Sequence, residues 1–420
     1  MILLYKLFLA LYKTGVSLAA KWNSKAKAWI EGRKIQESIF KECSNKQSNA
    51  KTIWFHCASL GEFEQGRPLM EALRATFRQK NCELRIVLTF FSPSGFEIRK
   101  NYKEADLVLY LPLDSKQNAE RFLNFTKPDL AIFVKYEFWH FYLSALQHRK
   151  IPTILVSAIF RKSQPFFRIW GGFHRKMLEN FTAIFVQDTN SKQLLDGLGL
   201  TRQTMISGDT RFDRVIETAL NHKPIPAIAI FCKDHPVLVA GSTWENDETL
   251  IDEWLKTCIA EKEPSWKLIL VPHEVHPEHL KKLHDRFPDA LRYSQLEGNE
   301  TSLIQSNVLI IDRIGILSNI YYYATACYIG GGFNKSGHHN ILEAAVYGKP
   351  TITGPNYEKF RESVELKKEG GSFTIRDSRE LYNILKNTDF SKAKNIAETY
   401  VHRQKGATEL IVQWVMKNVF

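Results

Sequence analysis

Residues 326–345 read ACYIGGGFNKSGHHNILEAA. A β-rich run, Ala326–Ile329, ends in three glycines; a short polar loop follows, and a helical pattern begins near Asn340. Strand, glycine turn and helix in that order form the repeating unit of mostly parallel α/β sheets. Lacking a Cβ, Gly331 and Gly332 let backbone N–H groups approach a ligand closely. A helix start at Asn340 favours an anion such as a nucleotide phosphate. Glu343, in the first turn, can accept from ribose hydroxyls or merely complement the helix dipole. A capped strand–helix turn with no ligand has the same appearance, so this stretch speaks to the fold before it speaks to function.

The alternation extends outward from there. Strands are predicted at Thr52–His56, Leu84–Thr89, Leu107–Leu111, Leu130–Val134, Thr153–Ser157 and Ala183–Gln187, with helices such as Phe63–Arg78 and Lys116–Phe125 between them. Asn221–Pro236 carries Pro224, Pro226 and Pro236 and breaks the rhythm. Strands resume at Val237–Ala240, Trp266–Val271, Val308–Ile311 and Thr351–Thr353. The expected organisation is an N-terminal helix over 1–21, an α/β domain over 22–220, a linker over 221–236 and a second α/β domain over 237–420. Two such halves imply a cleft, with ligands bound beyond the carboxyl ends of the strands.

The 420 residues are 44% hydrophobic and 24% charged, a globular composition that is neither disordered nor polytopic. The net charge of +12 suits nucleic acid, an anionic membrane surface or phosphorylated substrates. No zinc finger, aromatic RNA-binding motif or helix-turn-helix accompanies it, so nucleic acid is not expected as a partner. The six cysteines (43, 57, 82, 232, 258, 327) form no C-x-x-C pair and read as isolated thiols.

Residues 1–20, MILLYKLFLALYKTGVSLAA, are apolar but interrupted by Lys6 and Lys13, which fall on one line of a helix with Ser17 and Lys21. Such a helix suits the interface of an anionic membrane better than its interior. A cleaved signal peptide places its charges before the apolar run, whereas here Lys21, Lys25, Lys27, Arg33 and Lys34 follow it and favour a cytoplasmic flank. A helix docked on its own protein is the remaining option.

Candidate site residues cluster after strands. Ser59-Leu60-Gly61-Glu62 follows the first; Gly61 permits close approach, and Glu62, or its competitor Glu64, offers a carboxylate for general-base work. Ser94 lies in a turn after the second strand, and Glu137 lies among aromatics after Leu130–Val134. Arg161 and its basic neighbours interleave with Phe160, Phe166, Phe167, Ile169 and Trp170, a mixture suited to an anionic amphiphile. Ser242, Thr243, His273 and Glu274 end two strands of the second half, where hydroxyls and imidazole can meet phosphate or ribose. No histidine, cysteine or carboxylate spacing matches a metal site, and no cofactor is expected.

Taken together, these blocks resemble a family. FHCASLGEF at 55–63, GDTRFD at 208–213, GSTW at 241–244, GIL at 315–317, GGGF at 330–333 and NILE at 340–343 occur in the order of the transferases of Kdo (3-deoxy-D-manno-octulosonic acid) in lipopolysaccharide assembly. The resemblance implies an α/β fold of the GT-B glycosyltransferase class, two Rossmann-like domains with a cleft between them. It implies inverting, metal-independent transfer from CMP-Kdo to a lipid A precursor at the cytoplasmic face of the inner membrane. By the same resemblance Glu62 is the catalytic base and Glu137 a second acidic residue. Ser242, Thr243, His273, Gly315, Ile316, Leu317, Asn340 and Glu343 correspond to the CMP-binding set. Ser59, Gly61, Ser94, Arg161 and Arg211 are expected on the acceptor side. Family members carry Glu-Thr-Glu-Leu-Trp-Pro where this chain has Val134–Trp139. A GT-B enzyme using a UDP-sugar and a non-catalytic lipid- or nucleotide-binding module are the rival classes.

Overall fold

Leu130–Val134 (LAIFV) and Thr153–Ala158 (TILVSA) are buried at every position. A strand apolar on both faces needs cover on both, which helices flanking a parallel sheet supply. The computed structural model, which describes residues 1–42, 50–261, 266–296 and 300–420, contains two such sheets, each in its own unit. The first unit comprises Met1–Arg214 and Lys405–Phe420, and the second Val215–Gln404.

The first sheet contains β1 (Lys51–Cys57), β2 (Leu84–Phe90), β3 (Leu107–Tyr110), β4 (Leu130–Val134), β5 (Thr153–Ala158), β6 (Ala183–Val186) and β7 (Thr204–Ile206). Its order is β3-β2-β1-β4-β5-β6-β7, all parallel. The strand order reverses between β1 and β4, the switch point at which such sheets bind ligands. Trp54, Phe122, Phe133 and Tyr142 fill one face; Phe55, Phe63, Leu73 and Ile132 fill the other.

The second sheet contains β8 (Val237–Thr243), β9 (Lys267–Pro272), β10 (Leu291–Arg292), β11 (Val308–Ile310), β12 (Ala326–Ile329), β13 (Thr351–Thr353) and β14 (Ser372–Thr374). Its order is β10-β11-β9-β8-β12-β13-β14, with the switch between β8 and β12. Three non-glycine residues at strand ends adopt left-handed backbone: Lys135 (φ 70), Ser157 (φ 52) and Ser242 (φ 54). Ser157 and Ser242 sit at register shifts near the carboxyl ends of β5 and β8. Strain of this kind costs about 1–3 kcal/mol per residue and concentrates at functional sites.

The expected strands are present, most with ends moved by a residue or so. Three short edge strands, β7, β10 and β14, add to them. The domain boundaries fall differently from expectation. Residues 221–236 are not a free linker, because the helix Pro226–Cys232 buries Ile228 and Phe231 in the second unit. The last helix, Ala407–Asn418, belongs to the first unit and not to the second. Its apolar face, with Ile411 and Val415, joins the first unit's core, and Trp414 meets Phe185 at 5.6 Å. Asp213 receives the N–H groups of Gly406 and Thr408, each at 2.7 Å, fixing the start of that helix. The five described cysteines are free thiols, and Cys43 lies outside the described residues.

The N-terminal helix Ile2–Ala19 docks along one stripe. Tyr5 donates to Asp114 at 2.6 Å and its ring meets His140, Phe141 and Phe173; Leu9 is buried; Tyr12 packs on Trp29 and Phe91. Burial pushes Asp114 up to about 6. Leu3, Leu4, Leu7, Phe8 and Leu11 remain exposed on the other side of the helix. With a mean hydropathy of 1.4 the helix is long and apolar enough to cross a membrane, by length and composition alone.

Ile411 is fully buried in the first unit's core. Its truncation, Ile411→Ala, is expected to destabilise the chain by about 2–5 kcal/mol in urea unfolding. A change within about 0.5 kcal/mol, the size of a surface effect, would mean the C-terminal helix is not part of that core.

Candidate active site

The first unit's candidates all follow carboxyl ends of strands. After β1 the chain enters the helix Leu60–Gln79 with extended Ser59 as its N-cap and Glu62 in its first turn. The Ser59 hydroxyl donates to the Glu62 carboxylate, and among the described residues no cation pairs with Glu62. Its competitor is occupied: Glu64 takes an ion pair from Arg99 at 2.8 Å. Gly61 is exposed, and an added methyl would meet nothing nearer than Ser59 Oγ at 3.7 Å, so the surface above it is open. The turn after β2 is stapled to this loop by Ser92 N–H donating to Ala58 O at 2.8 Å. Ser94 is exposed there and shares a 2.9 Å hydrogen bond with Ser92.

After β4 the N–H of Tyr136 bonds back to Val134 O at 3.1 Å across Lys135, a tight γ-turn with positive φ at its centre. The turn brings Glu137 to β1. Glu137 Oε2 lies 3.0 Å from His56 Nε2 and receives Trp139 Nε1–H at 2.8 Å. Tyr136, unassigned from sequence, stands amid the field of Glu62, Arg161, Arg211 and Asp188; burial first, then the two carboxylates, raises its phenol. These four charges follow β1, β5, β7 and β6, so the rim carries mixed charge beside one protonated phenol. Arg161 is exposed. Arg211 is not a free cation, because it bonds Asp209 through Nε at 2.9 Å and a terminal nitrogen at 2.8 Å. Asp209 is buried, yet Arg211 and Gln65 hold its carboxyl below its ordinary value.

In the second unit Ser242, Thr243, His273, Gly331 and Leu317 gather at the carboxyl ends of β8, β9 and β12. Gly241 must be glycine: a methyl there would strike the Tyr321 hydroxyl and touch Leu317. Gly330 likewise packs on the backbone of Ser242 and Thr243, and Gly332 on that of Gly354. The glycines thus bring three loops together, a different use from exposing N–H groups. The N–H of Gly331 is spent on Asp247 Oδ2 at 2.8 Å. Asp247, missed in the sequence, also takes Tyr328 O–H at 2.6 Å and Trp244 N–H at 2.9 Å. Burial raises its pKa. Thr243 donates to Glu248 at 3.0 Å and is itself buried.

The expected helix at Asn340 is a single turn, Leu342–Ala345, too short to supply a dipole site. Asn340 instead caps it, accepting Leu342 N–H at 3.1 Å and donating to Glu343 at 3.3 Å. Gly315 is exposed with φ 93, and Ile316 and Leu317 lead into another single turn, Leu317–Ile320. Glu274 lies out at the rim, paired with His276 at 3.3 Å. It lines a pocket of about 290 Å³ with Thr243, Trp244, His276, His279 and Lys282.

The remaining feature is a stack of rings. His273 stacks over both Trp244 at 4.6 Å and His339 at 4.4 Å, whose own rings are nearly parallel at 9° with centroids 6.4 Å apart. Trp244 Nε1–H donates to His339 Nε2 at 3.1 Å, so His339 carries its proton on Nδ1. Burial, with His273 and His338 adding to it, pushes His339 down to about 4, and burial lowers His273 too. The stack is neutral at physiological pH. Among the described residues no group of three His, Cys, Asp or Glu is placed to hold a metal ion.

Comparison with known proteins now places the chain. Residues 33–214 match the family described as 3-deoxy-D-manno-octulosonic-acid transferase (kdotransferase). A 3-deoxy-D-manno-octulosonic acid transferase of Aquifex aeolicus is 30% identical over 355 residues, covering 83% of this chain and 89% of its own. The chain belongs to the Kdo transferase family. A Kdo transferase of Rickettsia bellii is 28% identical over 360 residues, covering 84% of this chain and 82% of its own. The fold is that of GT-B enzymes. MurG of Acinetobacter baumannii matches with TM-score 0.53 at 11% identity, over 87% of this chain and 99% of its own. The UDP-GlcNAc 2-epimerase of Neisseria meningitidis matches with TM-score 0.58 at 17% identity, over 87% and 100%. This Kdo transferase is therefore a glycosyltransferase of two parallel-sheet domains.

His56, Tyr136, Trp244, Asp247 and His339 were not assigned from sequence. A signal existed for His339, the last residue before the Asn340 cap in the glycine-loop stretch. His56 lies in the 55–63 block and Asp247 three residues after Trp244, but the contacts that give them a role, to Glu137 and to Tyr328 and Gly331, lie far along the chain.

The lowered His339 gives a pH test. In the unfolded chain histidine takes a proton near about 6.5, whereas here it waits until about 4. Between those values the unfolded chain binds more protons, so stability falls as pH drops from about 6.5 to about 4. His339→Gln is expected to flatten part of that slope in urea midpoints measured from pH 7.5 to 4. Parallel slopes in the two proteins would show that His339 is not held neutral.

Proposed function

We propose that this Kdo transferase moves Kdo from CMP-Kdo to a hydroxyl of a lipid A precursor, with inversion and without a metal. The observation that carries the reading is Glu62: a carboxylate at the switch point, held by Ser59 and paired with no cation among the described residues, while Glu64 is tied to Arg99 and Glu137 to His56. A base needs placement first, then a carboxylate oxygen left to receive the proton. Glu62 takes that proton as the acceptor oxygen attacks the anomeric carbon; the bond from that carbon to the phosphate oxygen breaks, and CMP leaves as an anion. The proton then passes from Glu62 to solvent. Arg161 and the Tyr136 phenol are suited to anionic groups of the acceptor. Ser242, the neutral ring stack and the Gly315–Leu317 backbone are suited to the nucleotide.

Mass spectrometry of a lipid A precursor incubated with CMP-Kdo or with UDP-sugars, in excess EDTA, tests the donor. A Kdo mass gain with CMP-Kdo alone is expected. Transfer from a UDP-sugar, or no transfer until magnesium is restored, would overturn the reading. Glu62→Gln is expected to lower kcat by about 10²–10⁴-fold while CMP still binds.

We propose also that the exposed face of the N-terminal helix holds the enzyme on an anionic membrane, at the cytoplasmic face of the inner membrane. Leu7→Glu with Leu11→Glu changes two exposed positions and spares Tyr5, Leu9 and Tyr12. The pair is expected to abolish sedimentation with phosphatidylglycerol-containing vesicles at unchanged CMP affinity. High salt should weaken binding of the unmodified protein, each basic residue near the surface contributing about 1 kcal/mol. Undiminished vesicle binding by the double variant would rule out this face.

A further inference from the structure

His56 is fully buried in β1, two residues after Trp54 on the same face of the sheet. Its register partner on β2 is Thr89. The Thr89 oxygen receives Trp54 Nε1–H at 2.9 Å and stands 2.9 Å from His56 Nδ1. The other ring nitrogen, Nε2, faces Glu137 Oε2 at 3.0 Å; Trp139 Nε1–H points at both, 2.8 Å from the carboxylate oxygen and 3.0 Å from Nε2. The carboxylate is 12% exposed and the ring not at all.

The available protons favour one direction for this run of hydrogen bonds. Thr89 has one hydroxyl proton and two acceptors in reach, His56 Nδ1 at 2.9 Å and Phe55 O at 3.2 Å. Given to Phe55 O, that proton leaves Nδ1 to carry its own. Nε2 then either accepts Trp139 Nε1–H from 3.0 Å, which takes that donor from Glu137 and still leaves the lone pair 3.0 Å from the carboxylate oxygen, or makes the ring a buried cation, and both are costly. Given to Nδ1, it leaves the ring neutral with its proton on Nε2, donating to Glu137. Every group is then satisfied, and Trp54, Thr89 and His56 each donate toward the rim.

We propose that His56 is a positioning residue, its Nε2–H orienting the Glu137 carboxylate at the acceptor rim, with Thr89 setting the ring's tautomer. The proposal rests on the reading of Glu137 as a working carboxylate of that site. Glu137 directly follows the strained γ-turn at Lys135, and the contacts of its side chain among the described residues are with His56 and Trp139.

Two amides of similar size separate placement from packing. In His56→Gln the amide nitrogen reaches about as far as Nε2 and keeps the donor to Glu137. In His56→Asn it reaches only as far as Nδ1, so Thr89 keeps a partner and Glu137 loses its donor. His56→Gln is expected to retain kcat within about tenfold. His56→Asn should lose about 10²-fold in kcat, the scale of a misplaced group, with an unchanged donor KM. In a Glu137→Gln background the two should become equal. Equal kcat for the two single variants overturns the assignment of His56. Wild-type kcat in Glu137→Gln overturns instead the reading of Glu137 on which it rests. If neither amide variant folds, Thr89→Val, which keeps the shape and removes the proton, must lower kcat with the same unchanged KM; full activity there also overturns the proposal.

Discussion

A parallel strand buried on both faces can offer chemistry only where it ends, and both halves of this transferase are built on that constraint. β1 and β4 diverge at the first sheet's switch point, β8 and β12 at the second's. Their carboxyl ends and the segments that follow supply Glu62 and Glu137 in one unit and Ser242 and Gly331 in the other. The apolar strands behind them, Ile53–Phe55 and Leu238–Ala240 among them, are fully buried. They provide a floor against which loops with left-handed backbone at Lys135 and Ser242 are held.

The two rims use different electrostatics. In the first, carboxylates are held in place by hydrogen-bond donors: Ser59 on Glu62, His56 and Trp139 on Glu137, Arg211 on Asp209. Such an arrangement suits proton removal from a hydroxyl. In the second, Trp244, His273 and His339 form a neutral stack, and the buried Asp247 gathers the loops around it. A flat neutral surface with directed donors suits a nucleotide whose charge is discharged at one phosphate. The net charge of +12 and the exposed leucines of the first helix take no part in either rim.

Much of this was legible in the sequence because strands covered on both faces are apolar throughout, so their ends mark the rims. Leu130–Val134 was read to the residue, and Ser59, Glu62, Ser242 and His273 all lie where the strand ends placed them. Two-residue β10 and three-residue β14 carry too little pattern to stand out. The C-terminal helix is amphipathic wherever it packs, and only Ile411 meeting the first core shows which unit it completes. The glycines of 330–332 read as a ligand cradle, but steric contact with Ser242 and Gly354 shows that they bring loops together. The His56–Glu137 contact spans 81 residues of sequence, and no local period reports it.

The claim on which the rest turns is that the acceptor hydroxyl meets Glu62 at the end of β1. A crystal structure of the Glu62→Gln protein with CMP and a disaccharide fragment of the lipid A precursor addresses it directly. The reacting hydroxyl should lie about 3 Å from the side chain at position 62, with the sugar over Gly61. Acceptor density centred instead on Glu64 and Arg99, or away from the carboxyl ends of β1 and β4, would mean that another group takes the proton and that the rim at Glu62 is not where the reaction happens.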